Sequence, residues 1–144
     1  MIYTEMTIKA MQIAYKAHAG QVDYSNVPYV FHPYHLAEQM DDEISCTVAL
    51  LHDVVEDTDL TIEDLEREFP KSVTEIIKLL THEKGVDYFD YVRRIKTNSI
   101  ATKVKLADLA HNSDETRNTG INVPEEKRRS WAEKYAKAKD LLLQ

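Results

Sequence analysis

Across residues 44–57 the chain offers a helix almost no polar face: Ile44, Cys46, Val48, Ala49, Leu50, Leu51, Val54 and Val55 occupy nearly every side of it. A helix that is apolar all round has to be enclosed, so this segment predicts a central helix with others packed about it. Enclosing it takes apolar material. At 43% apolar and 30% charged over 144 residues, the composition suffices for one core, which predicts one domain over residues 1–144. No apolar run approaches the roughly 20 residues of a membrane span. A positively charged start followed by an apolar block is missing before Glu5, so no secretory signal is expected. Cys46 is the single cysteine, which excludes an intramolecular disulfide and a cysteine-rich zinc site and makes a reducing cytoplasm the expected compartment.

The flanking segments supply the enclosure. Residues 4–19 place Ile8, Met11, Ile13, Ala14 and Ala17 mostly on one face, with Gly20 as the natural stop. Asp23, Ser25, Asn26 and Pro28 then predict a loop, with a short extended run through Tyr29, Val30 and Phe31. His32 precedes Pro33, which disfavours helical geometry at His32 and suits the first turn of a helix over 33–40, with His32 at or near its N-cap. Thr61 followed by Asp64 predicts a capped helix that runs to Phe69 and is broken by Pro70. Further helices follow from Val73, Ile76, Ile77, Leu79 and Leu80, from the spacing of Tyr88, Tyr91, Val92 and Ile95 over 86–98, and from a segment opened by Ser99. The last runs over 124–143. No alternating run is long enough for a sheet, so the expected fold is all-α, with about seven or eight helices.

Charge is placed unevenly. Between residues 38 and 68 there are twelve acids and one base, Arg67. Such a half repels polyanions, so neither nucleic acid nor an anionic membrane is an expected partner, and cations are its natural guests. Most of these acids form a solvated face.

A subset asks for more. The apolar segment ends His52-Asp53-Val54-Val55-Glu56-Asp57, which on a continuous helix sets His52 over Glu56 and Asp53 over Asp57. Three carboxylates at a helix C-terminus oppose its dipole and repel one another. Two readings fit this helix alone: Glu56 and Asp57 extend into solvent with His52 a hydrogen-bonded core residue, or a divalent metal offsets the charge, with His and Asp as mixed nitrogen and oxygen ligands. Elsewhere Asp108 lies within an apolar stretch with His111 and Asn112 three and four residues on, and His32 sits at a helix start among apolar neighbours. Buried His and Asp are each usually structural; together with a buried His-Asp pair they favour the metal.

The order His18-Ala-Gly-Gln21, Pro28-Tyr29-Val-Phe-His32-Pro33, Leu50-Leu51-His52-Asp53-Val-Val-Glu56-Asp57-Thr58 and Val104-Lys105-Leu106-Ala107-Asp108 with Asn112 resembles the HD-domain metal-dependent phosphohydrolases. Within them it is most similar to the branch holding the hydrolase domains of bifunctional alarmone enzymes and the small stand-alone alarmone hydrolases. The resemblance covers about residues 5 to 118. It implies metal ligation by His32, His52, Asp53 and Asp108, water orientation and proton handling by Glu56 and Asp57, and nucleotide contact by Asn112. The implied metal is manganese. The implied reaction removes pyrophosphate from the 3′ position of guanosine tetra- or pentaphosphate. Arg117 and Lys105 are the cations assigned to the nucleotide alongside Asn112.

The chain departs from that branch between Gln21 and Pro28, where basic residues and a glycine are usual and Val22-Asp23-Tyr24-Ser25-Asn26-Val27 stands instead. Asp114 likewise stands where that branch tends to have Arg. These departures predict either weakened alarmone hydrolysis or a different, less charged nucleotide. Two alternatives to an enzyme stay open, a nucleotide sensor that keeps the metal without turnover and an interaction protein whose metal is purely structural. His35, His82 and His111 are expected at the surface or beside the site. His18 suits the dipole at the end of its helix, and Tyr88, Tyr91 and Trp131 are expected in the core rather than as base-stacking platforms.

Overall fold

A computed structural model describes residues 1–118 and 123–144. Among them are nine α-helical segments, one 3-10 turn and no β-strand, which agrees with the all-α expectation.

Helix α1 (Glu5–Ala17) opens on Thr4, whose hydroxyl accepts from the Thr7 amide while the Thr7 side chain accepts from the Thr4 amide. Helix α2 is Phe31–Glu38, and α3, Glu43–Leu51, is capped by Asp42 through the Ser45 amide. A single turn, α4 (Val54–Asp57), follows, then α5 (Ile62–Glu66) with the expected reciprocal cap between Thr61 and Asp64. Helix α6 (Lys71–Leu80) starts after Pro70, α7 (Tyr88–Ile95) is capped by Asp87, and α8 (Ser99–Asn112) by Asn98. After the 3-10 turn Glu115–Asn118 comes α9 (Glu125–Leu143).

Helix α3 is the centre. Every residue from Ser45 to Leu51 is buried, and α1, α2, α6 and α8 pack around it. Helix α9 lies across α7 and α8. Enclosure of an all-apolar helix thus fixes where the ends of α2, α3 and α8 meet.

Four local expectations are corrected. The helix expected over 44–57 ends at Leu51 and resumes at Val54, with Asp53 at φ −104° and ψ −2° in between. Neighbouring residues on a straight helix do not face each other; the turn at His52 and Asp53 turns both side chains to one point. The second helix begins at Phe31, two residues early, so His32 lies inside the first turn and Pro33 takes a position whose N–H would have had no helical partner. The extended run expected at residues 29–31 is absent, and the extended contact is a bridge between Val22 and Pro28. Asn98, not Ser99, caps α8, because its carboxamide oxygen reaches the Ala101 amide.

Candidate metal centre

His32 comes from the first turn of α2, His52 and Asp53 from the break after α3, and Asp108 from the third turn of α8. One ligand atom from each of the four lies within 4.8 Å of all the others. His52 Nε2 is 2.9 Å from Asp53 Oδ2 and 3.5 Å from Asp108 Oδ1. His32 Nε2 is 2.8 Å from Asp108 Oδ1 and 3.7 Å from Asp53 Oδ2. Both histidines are 3% exposed, so water contributes little to this arrangement.

The hydrogen bonds on the far side of each ring decide what faces inward. His52 Nδ1 is 2.7 Å from the Ala49 carbonyl, which can only accept, so that nitrogen carries the proton and Nε2 presents a lone pair. Buried His52 Nε2 has no hydrogen-bond partner despite its closeness to Asp53. His32 Nδ1 meets His111 Nδ1 at 2.7 Å. Burial, Arg117, His32 and His35 push His111 down to about 4, which keeps it neutral and able to accept. His32 Nε2 is itself hydrogen-bonded to Asp108 Oδ1 at 2.8 Å, and a carboxylate oxygen can only accept, so a proton lies between them that a cation would displace.

The unpartnered His52 Nε2, the His32 ring and two carboxylates therefore converge, an arrangement that a cation would stabilise. Left to itself the cluster takes up a proton: burial lowers His52, but the Asp53 and Asp108 carboxylates outweigh it and hold the imidazole well above its ordinary value. Burial raises Asp108, yet Lys105, His32 and His52 draw it well below the usual carboxylate range. Burial likewise raises Asp53, and His52 reverses it. Two imidazole nitrogens and two carboxylate oxygens fit a divalent first-row metal, with second-row hydrogen bonds already fixing each ring.

Around the four, Tyr29 donates to Asp53 Oδ2 at 2.5 Å, and Asp108 takes Lys105 on Oδ2 at 2.9 Å and the Asn112 amide on Oδ1 at 3.1 Å. Glu56 and Asp57 lie beside Asp53, the three carboxylates offering oxygens within 4.8 Å of one another. Glu56 Oε1 accepts the His82 amide at 2.7 Å, which sets its carboxylate. Burial, then Asp53 and Glu56, push Asp57 up to about 6. The Asp57 carbonyl accepts from Gln21, whose own carboxamide oxygen meets His18 Nδ1.

A cavity of about 180 Å³ opens over Asp53, Glu56, Asp57 and Asp108 and also reaches Lys105 and Lys134. A second, of about 440 Å³, is bounded by the 22–25 loop, Arg117 and Trp131. Tyr29, Asn112 and Tyr135 belong to both walls, so the two form one cleft.

All the sequence-assigned residues except His32 line this cleft, and His32 meets His52, Asp53 and Asp108 in the buried cluster at its floor. Lys105 does so as an ion-pair partner of Asp108 between Tyr88 and Tyr91, and Arg117 stands in the outer cavity. Asp23 does not confront the cleft as an unpaired acid: Oδ1 accepts the Ser25 and Val27 amides, and Oδ2 lies 3.4 Å from Arg117 Nη2. Tyr29, Gln21 and Lys134 were not assigned a role from the sequence. Tyr29 had a signal, three residues before His32 across a turn that brings it to the same side.

A helical domain that gathers two histidines and two aspartates at the ends of three helices belongs to the class of metal-centred α-helical domains. The chain is a member of the HD-domain family, whose profile matches residues 10–123. It is 35% identical over 136 residues to the bifunctional (p)ppGpp synthase/hydrolase SpoT of Escherichia coli, covering 84% of this chain and 19% of that protein. It is 34% identical over 142 residues to the guanosine-3′,5′-bis(diphosphate) 3′-pyrophosphohydrolase of Vibrio cholerae, covering 88% and 20%. The chain thus spans about one fifth of the length of these relatives. A solved structure of a metazoan SpoT ortholog that hydrolyses ppGpp superposes with a TM-score of 0.79 at 28% identity, covering 99% of this chain and 88% of that one. The divalent metal implied by the family has a matching His and Asp cluster here.

Proposed function

We propose that residues 1–144 form one hydrolase domain that cleaves a phosphate linkage of a nucleotide, with guanosine 3′,5′-bis(diphosphate) 3′-pyrophosphohydrolase as the leading activity, manganese as the metal and the cytoplasm as the compartment. The observation that carries this reading is the convergence of His32, His52, Asp53 and Asp108 beside two further carboxylates at the floor of a nucleotide-sized cleft. The hydrolase relatives support the same substrate.

In this reading the four side chains hold the cation, which when bound acidifies a water molecule and screens incoming phosphate charge. Glu56, fixed by the His82 amide, orients the attacking water. Asp57, raised to about 6, is ionised at neutral pH yet close enough to it to take and return a proton. Lys105 holds Asp108 in place and adds positive charge to the cleft floor. Asn112 and Arg117 line the approach to the nucleotide. One observation favours a second reading, a nucleotide with fewer phosphates: Arg117 is already engaged by Asp23 and the His111 carbonyl.

The experiment is a manganese-loaded panel of guanosine and adenosine phosphates with products separated by chromatography. Release of pyrophosphate from guanosine tetraphosphate is expected. Turnover of a less phosphorylated nucleotide instead selects the second reading, binding without turnover the sensor, and neither binding nor turnover a structural metal.

A further inference from the structure

The outer part of the cleft holds an aromatic pair that the chemistry at the metal does not use, and one member, Trp131, stands at this wall and not in the core where its helical spacing predicts it. Tyr24, 65% exposed at the tip of the 22–25 loop, lies with its ring centroid 5.0 Å from that of Trp131 on α9, the two planes tilted by 43°. Lys127 Nζ sits 5.4 Å from the Trp131 centroid and 5.9 Å from that of Tyr24, tying the two rings together. The loop beneath Tyr24 is built to stay put. The Val22 to Pro28 bridge closes it, the Asp23 carboxylate accepts two of its amides, and Asn26 turns it at φ 68°. A large exposed aromatic on a fixed loop, at the mouth of a cleft that ends on a metal centre, is placed to receive a planar group.

The polar groups of the same wall are mostly engaged within the protein. Asp23 is held by loop amides and Arg117. Arg117 donates to the His111 carbonyl, and the Ser25 hydroxyl donates to the Arg117 carbonyl. Asn118 is a further lining residue, and a carboxamide both donates and accepts, so it can answer the edge of either purine. Stacking is indifferent to which base stacks, because every base has a π-face.

Resting on the hydrolase reading of the inner cleft, we infer that the Tyr24–Trp131 pair is the base platform of the substrate site, and that it grips a purine by its face without reading its edge. The substrate class that follows is purine nucleotides of either base, selected by their phosphates at the metal end.

Trp131 is the single tryptophan of the chain, so its fluorescence reports on this platform alone. Manganese-loaded protein is titrated with guanosine 5′-diphosphate, adenosine 5′-diphosphate and ribose 5-phosphate. Quenching by both nucleotides, with Kd values within about tenfold of each other, and none by the sugar phosphate, is the expected result, since a site that reads a base edge discriminates by roughly 10⁴-fold. Tyr24→Ala is expected to weaken both nucleotides about tenfold, while Tyr24→Phe, which keeps the ring, binds as the unmodified protein does. A wider gap between the bases, equal quenching by ribose 5-phosphate, or a Tyr24→Ala variant that binds both undiminished overturns the inference. Because the readout is binding, quenching by both nucleotides in a protein that turns over neither guanosine tetraphosphate nor any other member of the nucleotide panel supports the platform while removing the hydrolase reading.

Discussion

The roles divide at the level of single side chains. His52→Ala or Asp53→Ala is expected to abolish stoichiometric manganese binding and turnover together, because each removes one of four converging ligand atoms. Glu56→Ala is expected to keep the metal and lose about 10²- to 10⁴-fold in rate, the usual contribution of a water-positioning or proton-transfer group. Equal loss of metal in all three, measured by calorimetry, contradicts that division and makes Glu56 a ligand. His111→Ala tests the layer behind: without the hydrogen-bond partner of His32 Nδ1, manganese affinity is expected to fall about 10- to 100-fold with the fold intact by circular dichroism. The four converging residues were legible because buried His and Asp on apolar helices are costly unless something offsets them. Tyr29 and the Asp23–Arg117 pair were less so. Their partners are 24 and 94 residues away, and only the tertiary fold brings them together.

At the scale of elements, the sequence marked caps and central burial well and breaks within helices poorly. Thr61 and Asp64 form the predicted reciprocal cap, and Thr61→Ala is expected to lower stability by about 1 kcal/mol in a denaturant titration, with manganese affinity unchanged. Leu51→Ala is a sharper probe, since this fully buried residue is the last of α3 and adjoins His52. Its removal is expected to cost about 2–5 kcal/mol and to weaken manganese binding as well, as the turn that aims His52 loses its packing. Loss of stability without any loss of metal affinity contradicts the claim that α3 positions the centre. The break between α3 and α4 carried no signal in composition, because Val54 and Val55 continue the apolar pattern straight through it. Convergence of His52 and Asp53 on a shared partner, a tertiary demand, overrides helix periodicity there.

For the whole molecule, the centre couples stability to pH and metal. Metal-free, His52 is held above its ordinary value by Asp53 and Asp108 against the effect of burial, so its contribution is fully present below the unfolded value of about 6.5 and is lost as pH rises through its folded value. His18 and His111 act oppositely: burial lowers both, so the unfolded chain binds protons there that the native one does not, and stability falls as pH drops from about 6.5 toward 4. Metal-free protein is therefore expected to melt at progressively lower temperature as pH rises above 6.5, while on the acid side Asp57, raised to about 6, gains stability as pH falls and offsets part of the loss at His18 and His111. Added manganese is expected to replace the His52 proton and so to remove the decline on the alkaline side. At a hundred times its Kd it adds about 2.7 kcal/mol. A metal-free melting temperature that climbs from pH 6.5 to 8.5 contradicts the charge assignment. The most direct test of a metal-activated hydrolytic centre is a titration of chelator-stripped protein with manganese while product release from guanosine tetraphosphate is followed. The expected result is no turnover before addition and activity that rises linearly to a break at one manganese per chain. Undiminished turnover in the stripped protein, or one bound manganese with no product, contradicts it.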